Sequence, residues 1–82
     1  MDLKRFIDGI EIIRRYYNKP DGHHISAEHD AFFLYPTDRL LSADDLAAVV
    51  ALGWLQEGVD FDEAKDDLTA AYMPGEGWYC FT

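Results

Sequence analysis

Three histidines, a glutamate and an aspartate fall within GHHISAEHDAFF, residues 22 to 33, and the rest of the chain holds no histidine. Imidazole and carboxylate at close spacing are the materials of a zinc-type centre, which needs three or four ligands converging from a rigid frame. The order of the residues works against it. His23 and His24 are adjacent, so on a strand they point to opposite faces, and Glu28, His29 and Asp30 would join either of them only from a single turn with no familiar ligand spacing. A β-hairpin accounts for the stretch better, with Glu28, His29 and Asp30 at a hydrophilic tip and Asp30 capping the turn through its side chain. His24 and His29 are the pair worth a metal titration.

Other chemistry finds less to work with. Ser26 lies near the histidines, but the chain has no GxSxG elbow, no HExxH helix and no glycine-rich loop to cradle phosphate. Paired acids for glycoside hydrolysis would need a groove that 82 residues scarcely provide. Cys80, the only cysteine, rules out an internal disulfide and sits in an apolar segment, as a small buried hydrophobe does and an activated nucleophile does not. These features lead us to expect a protein that is not an enzyme and carries no cofactor.

The charge is more telling. Net charge is −9, and residues 40 to 82 carry nine acids against Lys65 alone. That field opposes direct binding to nucleic acid or to an anionic membrane, and it suits a basic protein surface as partner. Glu57, Asp60, Asp62, Glu63, Asp66 and Asp67 fall within eleven residues and form the candidate partner-binding tract. An EF-hand is excluded, because DFDEAKDDLTAA lacks both the sixth-position glycine and the twelfth-position glutamate. On a helix, Asp62, Glu63, Asp66 and Asp67 would share one exposed face. That face either keeps the protein soluble or imitates a row of phosphates before a basic groove.

The elements that would position these residues can be read from periodicity. Leu3, Phe6, Ile7, Ile10, Ile13 and Tyr17 recur at three- and four-residue steps, which predicts an amphipathic helix from an Asp2 cap to Tyr17. Gly9 in its middle suggests a close helix-to-sheet contact. The hairpin follows, with strands over His23 to Ser26 and Ala31 to Tyr35. Its register pairs Ile25 with Phe32, so Ile25, Phe32 and Leu34 face the core. In LLSADDLAAVVALGW, Ser42 caps a helix over Ala43 to Leu52, with Asp45 completing a capping box and Leu41 stapling onto Leu46. Gly53 and Trp54 end it in a Schellman turn against Val49. Strands at Trp54 to Glu57 and in GWYCFT complete the sheet, the last with Trp78 and Cys80 on one face and Tyr79 and Phe81 on the other. The helical spacing of Phe61, Ala64, Leu68, Ala71 and Tyr72 predicts a third, short helix, with a long acidic loop as the alternative.

The expected fold is a single α+β domain over residues 1–82: a small antiparallel sheet with helices on one face, in the order α-β-β-α-β-(α)-β. Without a long apolar run or a signal-peptide start, the expected location is cytoplasmic.

The pairing of HDAFFLYPTDRLLSADDLAAVVALGW with a terminal GWYCFT resembles small proteins of bacteriophages and integrated mobile elements. The shared formula is structural: strand, capped helix, Gly-Trp, strand. It transfers no catalytic residues. The resemblance implies a context in which small acidic proteins bind and inhibit host machinery, including anti-CRISPR proteins that occlude nucleic-acid-binding surfaces. The leading expectation is therefore a non-enzymatic acidic protein-binding module acting as such an inhibitor. The alternatives are an interaction or homodimer module using exposed sheet aromatics, or a His/acid metal-binding protein.

Overall fold

A computed structural model of the chain describes residues 1–19 and 25–81. Helix α1 spans Leu3–Ile13 and continues into a 3₁₀ turn over Arg14–Tyr16. It begins where expected, since the Asp2 carboxylate accepts the Arg5 amide at 2.8 Å. Its buried stripe is narrower than the sequence suggests. Phe6, Ile10, Ile13 and Tyr17 turn inward, while Leu3 and Ile7 stay exposed. Gly9 is a close-approach residue: a β-carbon there would stand 1.8 Å from Trp54 Nε1, so only a hydrogen lets the helix backbone lie against the indole.

Strands β1 (Ile25–Glu28) and β2 (Ala31–Leu34) form the hairpin, in a register that differs from expectation. Ile25 pairs with Leu34 and Glu28 with Ala31, leaving a two-residue turn of His29 and Asp30. The pairing is displaced by two residues from the expected one, so the choice of faces survives and the location of the tip does not. Its cause is His29, whose φ of +39° supplies the positive dihedral that a two-residue hairpin requires. Glu28 is thereby a strand residue. Asp30 does not cap the turn through its side chain among the described residues. Every residue of β1, an edge strand of the sheet, is exposed, Ile25 included; α1 meets the sheet one strand further in, where Phe6 packs on Phe32 with ring centroids 5.1 Å apart. His23 and His24, and the pairing expected of them, lie outside the described residues.

Helix α2 (Ala43–Ala51) follows its signals closely. Ser42 Oγ accepts the Asp45 amide at 3.2 Å, and Leu41 and Leu46 join the same core cluster. At the other end, Gly53 (φ +97°) donates to Val50 O and Trp54 N donates to Val49 O at 3.1 Å, the two bonds of a Schellman turn. The capping box alone is altered. The Ser42 amide donates to the Tyr16 hydroxyl, which donates in turn to the Asp45 carboxylate, so a phenol from the first helical segment bridges the box.

Strand β3 is short (Leu55–Gln56), helix α3 covers only Leu68–Ala71, and β4 is Trp78–Phe81. The four strands form one antiparallel sheet in the order β1-β2-β4-β3. The α+β class, the element order and the placement of helices on one face are as expected. Leu34, Trp78 and Cys80 meet Ile13, Leu46, Val49 and Trp54 in the core.

Among the described residues, one core residue is polar. Gln56 is fully buried beside Trp78, its side-chain amide donating to Met73 O (3.0 Å) and Glu76 O (3.1 Å) while its carbonyl accepts the Met73 amide (3.0 Å). It pins the turn before β4 to the end of β3.

Candidate partner-binding surface

The acidic tract is not the helix its spacing suggests. Residues 61–66 run as successive turns, and Asp62, Glu63, Asp66 and Asp67 do not share a helical face. The reason is the chemistry of aspartate, whose short carboxylate bonds nearby amides and starts turns in preference to continuing a helix. Asp60 Oδ1 accepts the Glu63 amide at 3.1 Å and opens the first turn. Asp67, with its backbone at φ −150° and ψ 81°, breaks the path and accepts from Ala70 N and Thr69 Oγ1 to open α3. These hydrogen bonds hold the Asp67 carboxyl below its ordinary value, the Thr69 hydroxyl contributing most.

The six tract residues therefore divide. Asp60 and Asp67 are exposed but engaged in shaping the backbone. Glu57, Asp62, Glu63 and Asp66 are exposed and form no ion pair with a described residue, since the ion pairs found there join Lys4 to Asp8, Arg5 to Asp2 and Arg14 to Glu11 on α1. The tract is anchored from below. Phe61 is 3% exposed and stacks on Trp78 with centroids 5.9 Å apart and planes 6° from parallel. Tyr72 leans on the same indole at 5.9 Å, and its hydroxyl accepts the Leu41 amide. The exposed carboxylates are thus carried on a segment whose turns are opened by Asp60 and Asp67 and whose Phe61 is sunk against Trp78.

The sheet face away from the helices forms a second surface. Phe33 and Tyr79 are cross-strand partners with rings 6.0 Å apart, and Tyr79 meets Phe81 edge-on at 5.5 Å. Parity read from the sequence grouped Tyr79 with Phe81 and turned Phe33 away from Phe32 and Leu34; what it did not give is the β2–β4 pairing that sets Phe33 beside Tyr79. Leu55 adjoins Tyr79 in the register, and Glu57 follows on the same side.

The remaining candidates are dispersed. His29 is exposed at the hairpin tip, and among the described residues no three His, Cys, Asp or Glu side chains gather in a group that could hold a metal ion. Ser26 is exposed on the edge strand opposite Phe33. Cys80 is completely buried, and burial pushes its thiol up, the opposite of what an activated nucleophile needs. No helix among the described residues is long and apolar enough to cross a membrane.

Compared with protein-family models, with curated proteins and with solved structures, the chain finds no match.

Proposed function

We propose that this is a protein-binding module that presents the segment 57–67 to a basic surface of a partner, and that it acts by covering the site where that partner would hold nucleic acid. The observation that carries the reading is the anchored tract. Phe61 is sunk against Trp78, Asp60 and Asp67 fix the turns, and Glu57, Asp62, Glu63 and Asp66 are left free to meet cations. An ordered anionic loop loses less entropy on docking than a mobile one, and its field speeds encounter with a basic partner. A small acidic inhibitor of a host defence or nucleic-acid-processing complex, of the anti-CRISPR kind, is the context that fits such a surface.

The test is capture from host lysate at low and high salt, with competition by duplex DNA, using the protein and its D62K/E63K/D66K variant. Capture that is salt-sensitive, displaced by DNA and lost in the variant supports the proposal. Capture unchanged by the charge reversal removes the tract from the interface. A second reading, self-association through the sheet aromatics, draws support from the partly exposed row of Phe33, Tyr79 and Phe81; it requires a dimer in light scattering that salt does not weaken.

A further inference from the structure

Phe33, Tyr79 and Phe81 line, together with Glu57, a hollow of about 320 Å³ on the helix-free face of the sheet. That size suits one side chain better than a large cofactor. Tyr35, Glu57 and Glu76 bound a neighbouring depression that shares Phe33 and Tyr79. Three aromatic rings beside a carboxylate make an uncommon combination on a surface. Aromatic faces carry negative electrostatic potential and attract cations within about 6 Å of the ring centroid, and a carboxylate at the rim adds a charged acceptor. Glu57 and Glu76 are both exposed and paired with no described cation. The chain already uses this contact internally, with the Arg39 guanidinium 5.6 Å from the Tyr16 ring centroid.

We infer that this hollow receives an arginine side chain of a basic partner, its guanidinium lying on the Tyr79 and Phe33 rings and hydrogen-bonding Glu57. Arginine is favoured over lysine because a planar guanidinium can stack on a ring and present paired donors to a carboxylate at once, whereas a compact ammonium is more strongly held by water. Charge makes a second copy of the chain the less favourable occupant. It would bring Glu57 and Glu76 of two molecules, each of net charge −9, against one another. The inference rests on the proposed basic partner and sharpens it: Glu57 begins the acidic tract and also walls the hollow, so the tract supplies attraction and the hollow supplies the anchoring contact.

The test is titration of isotope-labelled protein with a blocked peptide of alternating arginine and serine, alongside matched lysine and citrulline peptides, followed by side-chain NMR. The arginine peptide is expected to shift the Phe33, Tyr79 and Phe81 rings and the Glu57 carboxylate, the lysine peptide to do so weakly, and the citrulline peptide not at all. Glu57→Gln and Phe81→Leu alter exposed groups, and each should weaken arginine-peptide binding about threefold or more while leaving the amide spectrum folded. Shifts confined to Asp62, Glu63 and Asp66 and unchanged in E57Q and F81L would overturn the inference. So would equal binding of citrulline, or ring shifts that follow protein concentration without peptide, which would mark a second copy. Ring shifts that persist in D62K/E63K/D66K support the hollow whatever becomes of the tract, so the two readings fail separately.

Discussion

Replacing Gln56 with leucine tests whether a single buried amide holds the tract and the last strand in register. The side chains are similar in volume, so the change removes hydrogen bonds with little change of packing. Three bonds are lost, and Met73 O, Glu76 O and Met73 N are left without their partner. A stranded buried polar group costs about 1–3 kcal/mol. The turn at Met73 and Glu76 is exposed and can take up water, which argues for the low end, or about 3 kcal/mol in all. A domain of this length is stable by only about 4–12 kcal/mol, so the loss is a quarter of the total or more. Urea unfolding followed by tryptophan fluorescence should show a lower midpoint at unchanged slope. Gln56→Glu carries the argument further. One carboxylate oxygen would keep the Met73 amide, but the other would face the Met73 and Glu76 carbonyl oxygens with no hydrogen to give, raising the folded pKa above the unfolded value of about 4.3. The deficit of this variant should therefore be smallest in acid, where the protonated group can donate one bond, and should grow as pH rises through that value. A Q56L variant within about 0.5 kcal/mol of the parent would refute the reasoning.

Four other outcomes are expected. Gly9→Ala should destabilise by about 1–3 kcal/mol in thermal unfolding, against the usual gain in a helix, because the added carbon meets the buried Trp54 indole. Tyr16→Phe should cost about 1–2 kcal/mol by unbridging the Ser42 amide from the Asp45 carboxylate, and Asp45→Asn in that background should cost little more in a double-mutant cycle. In alkaline titration followed by phenolate absorbance, one tyrosine should ionise last. Burial first, and Asp38 second, push Tyr17 up to about 12, so folded stability should fall as pH rises from about 10, and Tyr17→Phe should remove that last step. Asp67→Asn should remove a stabilising effect that is present above the unfolded aspartate pKa and lost as pH falls through the lowered folded one, so the variant and parent should converge in strong acid.

Where instructions in the chain are local, the sequence was legible. Ser42, Gly53 and Trp54 specify the ends of α2 within a few residues, and both ends form as written. Strand parity likewise separated Trp78 and Cys80 from Tyr79 and Phe81, and the structure turns the first pair into the core. The hairpin register was less accessible, because it depends on His29 accepting a positive φ that few residues other than glycine tolerate. The acidic segment misled through its period: Phe61, Leu68 and Tyr72 do turn inward, but Asp60 opens a turn just before Phe61 and Asp67 restarts the backbone between Phe61 and Leu68. Gln56 was missed altogether. A polar residue two positions after a buried tryptophan was the only local hint, and its partners at Met73 and Glu76 are distant in sequence. The hollow beside Tyr79 was half visible, since its third ring and its carboxylate arrive from β2 and from beyond β3.

The order β1-β2-β4-β3 also governs how the molecule comes into being. The middle of the sheet is filled by Trp78–Phe81, and both β2 and β3 take a partner from it. During synthesis the hairpin must wait with an open edge, and Phe61 has no indole to rest on, until these residues emerge. Assembly therefore converges in one late step in which sheet, core and acidic loop form together, and the edge of β2 that β4 will cover is open only before it. A lesion that slows the docking of β4 would leave the rest of the chain synthesised but unassembled, and so vulnerable to aggregation and proteolysis.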